Sequence, residues 1–286
     1  MHIEPNRLFK AETPNVFVIL DAETEYALDV HDRYLAAEHV NPEDIPPRTA
    51  SDPRQALRLT PRWAAQRINT LSWLVMIDGP DGLRPVRMET RGAPEHDEAE
   101  IVASFFNDMA SYQALTIVTY NGFRSDVPRI LLAAAAAGLR LPASLAKLHA
   151  PWPRGREGHL DLMSEICGGA DRVHLAELAA KLDIPAKLTC HPERIHELME
   201  RGKWSTVKAV AEGDVLTTAL LLMRWRHLVG GSTSALESTL RMTRFVAEHL
   251  SHRPYASDWI QHGDRILRDV MTSQTLERAP ARLEEK

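Results

Sequence analysis

The stretch that decides the reading is NVFVILDAETEYALDV, residues 15–30. Val16 to Leu20 make a short apolar run rich in β-branched residues, which reads as a buried strand. The run stops at Asp21, and Glu23 follows two positions on. Side chains alternate along a strand, so the two carboxylates point to one face. Ionised acids side by side at the exit of a buried strand repel each other and resist desolvation. A hard divalent cation relieves both costs, because Mg²⁺ takes oxygen ligands and keeps waters. Asp-x-Glu after a strand is also common by chance, so the pair carries weight only in company.

Working outward, SWLVMID (72–78) and PVRMETR (85–91) read as strands joined by the turn signal GPDG (79–82), which gives a mostly antiparallel meander. Residues 31–60 are polar and contain Pro42, Pro46, Pro47 and Pro53; they read as an irregular insertion with short helical turns at most. Ile101, Val102, Phe105, Phe106 and Met109 mark one face of a helix over 95–111, and LTIVTY (115–120) is a fourth strand. Helices are expected over 126–137, 175–184, 192–202 and 206–229, with a further helix after Gly230-Gly231. HLDLMSEI (159–166) is short and amphipathic, and the tail ERAPARLEEK is expected to be disordered.

Two more acids stand out. Asp126 follows the tight turn Asn121-Gly122 and sits where a helix begins, just past a strand end. Helix dipoles favour an acid there, so a capping role is an equally simple reading. Asp214 lies in AEGDVLTTALLL among Val210, Val215, Leu216 and Leu220, surroundings in which an aspartate needs a partner. Gly213 beside it leaves room for a ligand or another backbone.

The 286 residues carry a net charge of −5, with 44% apolar and 26% charged residues, an ordinary soluble composition. At roughly 100–200 residues per domain, one large domain plus a tail is the simplest division. No run of about 18 apolar residues exists, so no membrane-spanning helix is expected. The N-terminus lacks the apolar core of a secretory signal, and Cys167 and Cys190 form no CxxC, so a reducing cytoplasm is the expected location. Mild acidity argues against a general nucleic-acid coat but not against a local groove. Between Arg124 and Arg156 six bases (Arg124, Arg129, Arg140, Lys147, Arg154, Arg156) face a single acid, Asp126.

VILDAETE (18–25), LTIVTYNGFRSDVP (115–128), HLDLMSEI (159–166), HLAELAAKLDIPAK (174–187) and AEGDVLTTALLLMRW (211–225) together resemble the DEDD 3′–5′ exonucleases of the ribonuclease H-like superfamily. The branch is that of predicted exonucleases similar to the proofreading domain of family B DNA polymerases. The resemblance implies an α/β fold, a ribonuclease H-like mixed five-stranded sheet flanked by helices. It makes residues 1–229 the exonuclease domain and 230–286 a helical extension and tail. It also implies that Asp21, Glu23, Asp126 and Asp214 bind two Mg²⁺ or Mn²⁺ ions, roughly 3.5–4 Å apart. The substrate would be the 3′ end of single-stranded DNA or RNA, with Thr24, Asn121, Phe123, Arg124 and Lys187 contacting it. Phe123 would stack on a base and Arg124 meet a phosphate.

The chain departs from the family pattern in two places. The third motif normally carries a tyrosine four residues before its aspartate or a histidine five before; here Val210 and Ala209 stand there. General acid–base help is worth about 10²–10⁴-fold. His159 and His191 are conceivable substitutes. The usual aromatic before the second-motif aspartate is Ser125. The rival reading is therefore a non-catalytic nucleic-acid-binding or scaffold protein that keeps the nuclease fold. A phosphatase-type nucleophile at Asp21 has nothing further in the sequence to support it.

Overall fold

The computed structural model describes residues 15–39, 61–148, 158–186, 194–231 and 233–278. The strands are β1 (Asn15–Tyr26), β2 (Gln66–Gly79), β3 (Gly82–Gly92), β4 (Thr116–Thr119) and β5 (His159–Asp161). The helices are α1 (Leu28–Ala37), α2 (Glu98–Met109), α3 (Asp126–Ala136), α4 (Leu162–Cys167), α5 (Leu175–Lys181), α6 (Ile195–Glu200), α7 (Trp204–Leu228), α8 (Ala235–His249) and α9 (Ala256–Arg278).

One sheet has the order β3-β2-β1-β4-β5. β1, β2 and β3 form the antiparallel meander, while β4 and β5 run parallel to β1. The chain thus adopts the expected α/β architecture, a mixed five-stranded sheet flanked by helices. Alternation along β1 sorts its side chains between two cores. Phe17 and Ile19 join Leu74 and Met76 of β2 under α7, α8 and the start of α9. Val18 and Leu20 join Trp73 and Val75 on the opposite face, under Ile101, Val102, Phe105 and Met109 of α2 and Ile130 of α3. Each fully buried Leu, Ile or Phe stabilises the fold by about 1.5–3 kcal/mol before entropy is counted. A reciprocal capping box starts α2: the Asp97 carboxylate accepts from the Glu100 amide at 2.9 Å, and Glu100 accepts from the Asp97 amide at 3.0 Å.

α7 is buried on nearly every side from Val207 to Met223. This suits a helix laid across a sheet and covered in turn by others. α8 supplies Met242, Phe245 and Val246, the loop after it Tyr255, and the start of α9 Trp259, all to the same core as Leu220 and Met223. None of the described helices is long and apolar enough to cross a membrane.

Three expectations are corrected. The stretch 31–60 begins as the second half of a ten-residue helix, α1; only His31 and Leu35 of that helix are buried, too few apolar positions to show a helical period. Residues 40–60 lie outside the described part. The strands β1 and β2 outrun their apolar cores, because hydrogen bonding continues through Glu25↔Arg67 and Tyr26↔Gln66 after the apolar run ends. Finally, two helices follow Gly231 rather than one, separated by a turn that contains Pro254.

Candidate metal and nucleic-acid site

Asp21 and Glu23 continue the row of Phe17 and Ile19 and so face the α7 side of the sheet. They pair across β2 with Ser72 and Thr70. The register shifts between Glu23 and Thr24, where β2 carries the extra residue Asn69. Bulges of this kind bend and twist a strand and re-aim its side chains. Asp214 reaches the same point from α7: ligand oxygens of Asp21, Glu23 and Asp214 all lie within 4.8 Å of one another, and all three residues are half-buried. This all-oxygen donor set suits a hard divalent ion. A Cβ built at Gly213 would meet nothing within 4 Å, so the glycine faces open space; of the two neighbours weighed for that room, a ligand or another backbone, no backbone approaches.

Asp126 is not part of that triplet. It is the first residue of α3 and is buried. Desolvation is the main force on its carboxyl and pushes it up to about 7, against the pull of the Ser125 hydroxyl and the Arg129 guanidinium; the Asp161 carboxylate adds to the rise. Ser125 itself donates to the Asn121 carbonyl at 3.0 Å and stays close to the loop instead of packing as an aromatic would.

The loop from Asn121 to Ser125 is held in place by Asp161, at the end of β5. One carboxylate oxygen accepts from the Asn121 amide at 2.9 Å and the Met163 amide at 3.1 Å; the other accepts from the Phe123 amide at 3.2 Å. The same acid caps α4. Sequence reasoning left Asp161 without a role; the signal was an acid at a strand end directly before a helical run. Asn121 takes a left-handed φ of 66°, which asparagine tolerates. Gly122 is required by close approach, since a Cβ there would fall 2.5 Å from the Thr119 side chain. Phe123 lies over His159, with ring centroids 6.1 Å apart and planes 27° from parallel. Arg124 is exposed. Thr24 sits beside the bulge and is half-buried. Lys187 and His191 lie outside the described residues.

His159 is no spare base at the surface. Its Nε2 is 2.8 Å from the Thr119 hydroxyl, and burial holds the imidazole down at about 4, so the ring is neutral at physiological pH. The position of the missing tyrosine is filled. Val210 is 3% exposed and packs with Ile195 and Met199 of α6 and Val207 of its own helix, while Ala209 belongs to the main core. Two residues before Asp214, the carboxylate of Glu212 is 1% exposed. It accepts from the Tyr255 hydroxyl at 2.9 Å and pairs with Arg253 at 2.7 Å.

No curated protein matches the chain. Among solved structures it is similar to the family B DNA polymerase from the hyperthermophilic archaeon Pyrobaculum calidifontis, at 16% identity and a TM-score of 0.48. That likeness covers 82% of this chain and 29% of the polymerase, so the chain spans less than a third of that protein's length. A family model describing predicted 3′–5′ exonucleases related to the exonuclease domain of PolB matches residues 62–263, a span that contains Asp126 and Asp214, with β1 lying before it. On that match the chain belongs to the family of predicted 3′–5′ exonucleases related to the PolB exonuclease domain.

Proposed function

We propose that the protein is a metal-dependent 3′–5′ exonuclease acting on the 3′ end of single-stranded DNA or RNA. The observation that carries this reading is the meeting of Asp21, Glu23 and Asp214 oxygens within 4.8 Å, from a strand and a helix far apart in the chain. In this reading those three acids, together with Asp126, hold two Mg²⁺ or Mn²⁺ ions. When bound, such ions neutralise charge on the scissile phosphate and acidify the attacking water. The protein's own groups position the substrate. Asn121, Phe123 and Arg124 form the wall at the C-terminal end of β4, where Phe123 offers a ring to a base and Arg124 a cation to a phosphate. Thr24 lies beside Glu23 at the floor, and Lys187 is assigned to the strand backbone. Residues 1–229 carry the chemistry, and the helices after Gly230 brace it, in keeping with the Glu212, Tyr255 and Arg253 contacts. The expected location is the cytoplasm.

A second reading has its own observation. Val210 and Ala209 are buried apolar residues where the family carries a tyrosine or histidine, so neither position can orient or deprotonate water. A protein of this kind binds single-stranded nucleic acid without cutting it. Digestion of a 5′-labelled oligonucleotide in Mn²⁺ separates the two. The exonuclease reading expects a ladder of products shortened from the 3′ end, which disappears with Asp21→Ala; identical traces from both proteins leave only the binding reading.

A further inference from the structure

Beside the Asn121–Ser125 loop lies a feature that the acid cluster does not explain. A cavity of about 520 Å³ opens between this loop and α4, with walls that include Phe123, Arg124, Met163, Ser164, Cys167 and Arg172. The volume falls in the range of sites that hold small organic ligands. Its make-up is mixed: an aromatic ring and a thioether on the walls, a hydroxyl, and two guanidinium groups that come from separate loops, one before α3 and one after α4. Both arginines are exposed, and among the described residues neither enters a salt bridge. The Asp161 carboxylate under the loop is committed to backbone amides. Asp171 neighbours Arg172 in sequence but does not line the cavity.

We infer that this cavity seats a nucleotide upstream of the scissile phosphate, with Arg124 and Arg172 holding backbone phosphates on its two sides and the Phe123 ring against its base. The inference rests on the exonuclease reading and deepens it. The reacting 3′ nucleotide would lie at the carboxylates, and the strand behind it would pass over the loop and into the cavity. Flexible guanidinium forks suit phosphate, and an aromatic wall suits any base, so the site grips single strands with little regard to sequence. Arg172 is the new element, since nothing in its local sequence, GGADRVH, marks it as a ligand contact.

The test is fluorescence anisotropy with a labelled ten-nucleotide oligo(dT), in Ca²⁺ to suppress cleavage, over a series of salt concentrations. Arg172→Ala is compared with the unsubstituted protein and with Arg84→Ala, an exposed arginine on the opposite edge strand β3 that does not line the cavity. Loss of one phosphate contact reduces the slope of log K against log salt by about 0.7 for a single strand. The expected result for Arg172→Ala is that reduction together with about a five- to tenfold weaker Kd at low salt, and Arg84→Ala unchanged. Arg172→Glu should weaken binding further. An unchanged Kd and slope for Arg172→Ala, with tight binding by the unsubstituted protein, overturns the cavity and leaves the exonuclease reading standing. Absence of binding by the unsubstituted protein overturns both.

Discussion

The contact that ties the C-terminal helices to the acid-bearing helix gives the most direct test of how this site is supported. Glu212 and Tyr255 are each 1% exposed, and the phenol donates to the carboxylate at 2.9 Å. Burial and the carboxylate itself push the Tyr255 hydroxyl well above its ordinary range, so it is a protonated donor at physiological pH. Tyr255→Phe keeps the ring and deletes only that donor. A hydrogen bond to a charged group contributes about 1.5–3 kcal/mol, and here the acceptor is buried. Arg253 stays on the other carboxylate oxygen at 2.7 Å and keeps the charge compensated, which holds the loss near the lower half of that range, about 2 kcal/mol. For a domain of this size 1 kcal/mol moves Tm by about 2–4 °C, so Tyr255→Phe should melt about 4–8 °C lower. Differential scanning calorimetry reads this, and urea titration checks that the m-value is unchanged. Combined with Glu212→Gln, the substitution should show a coupling of about 1 kcal/mol or more, as expected of side chains in contact. A Tm for Tyr255→Phe within about 1 °C of the parent, or strict additivity in the double variant, would refute the claim that this bond anchors α7 two residues before Asp214.

Two further outcomes follow from the loop beside the site. His159 is held at about 4 in the folded protein, below its ordinary value of 6.5. Stability is therefore full above about pH 6.5 and falls as pH drops towards 4, because the unfolded chain takes the proton first; about 2 kcal/mol should be lost between about pH 7.5 and pH 5. His159→Gln should flatten that part of the urea-stability profile, and an NMR titration with the ring midpoint near 6.5 would contradict the burial argument. Gly122→Ala forces a methyl group to within 2.5 Å of the Thr119 side chain. Overpacking at such a point costs about 1–3 kcal/mol. It should also disturb the Thr119–His159 pair, visible as a changed His159 ring resonance; an unshifted resonance and an unchanged Tm would show that the turn has slack.

Much of the site was legible before folding was considered. Period-two alternation alone put Asp21 and Glu23 on one face, and the structure keeps them in the row of Phe17 and Ile19. The turn at Asn121-Gly122 was readable too, because φ of 66° and close approach to Thr119 are demands that local residue types announce. Asp161 was not legible as the holder of that loop. Its partners Asn121 and Phe123 lie about forty positions away, and a carboxylate accepting amides looks in sequence like any helix cap. α1 escaped for a plainer reason, since a ten-residue helix with two buried positions leaves little period to detect, whereas the break between α8 and α9 did carry a local signal in Pro254.

The sequence by itself determined the local geometry: which side chains share a strand face, where the turns fall, and that positions 209 and 210 hold no group able to move a proton. Only the tertiary structure decided what meets what. It brought Asp214 to the Asp21 and Glu23 pair while leaving Asp126 outside that triplet, closed Val210 in behind α6, and joined Arg124 to Arg172 around one cavity. The physical reason is that backbone sterics and side-chain alternation act over a few residues. Contacts between distant segments are instead set by how whole sheet and helix faces bury together, and no short stretch of chain encodes that.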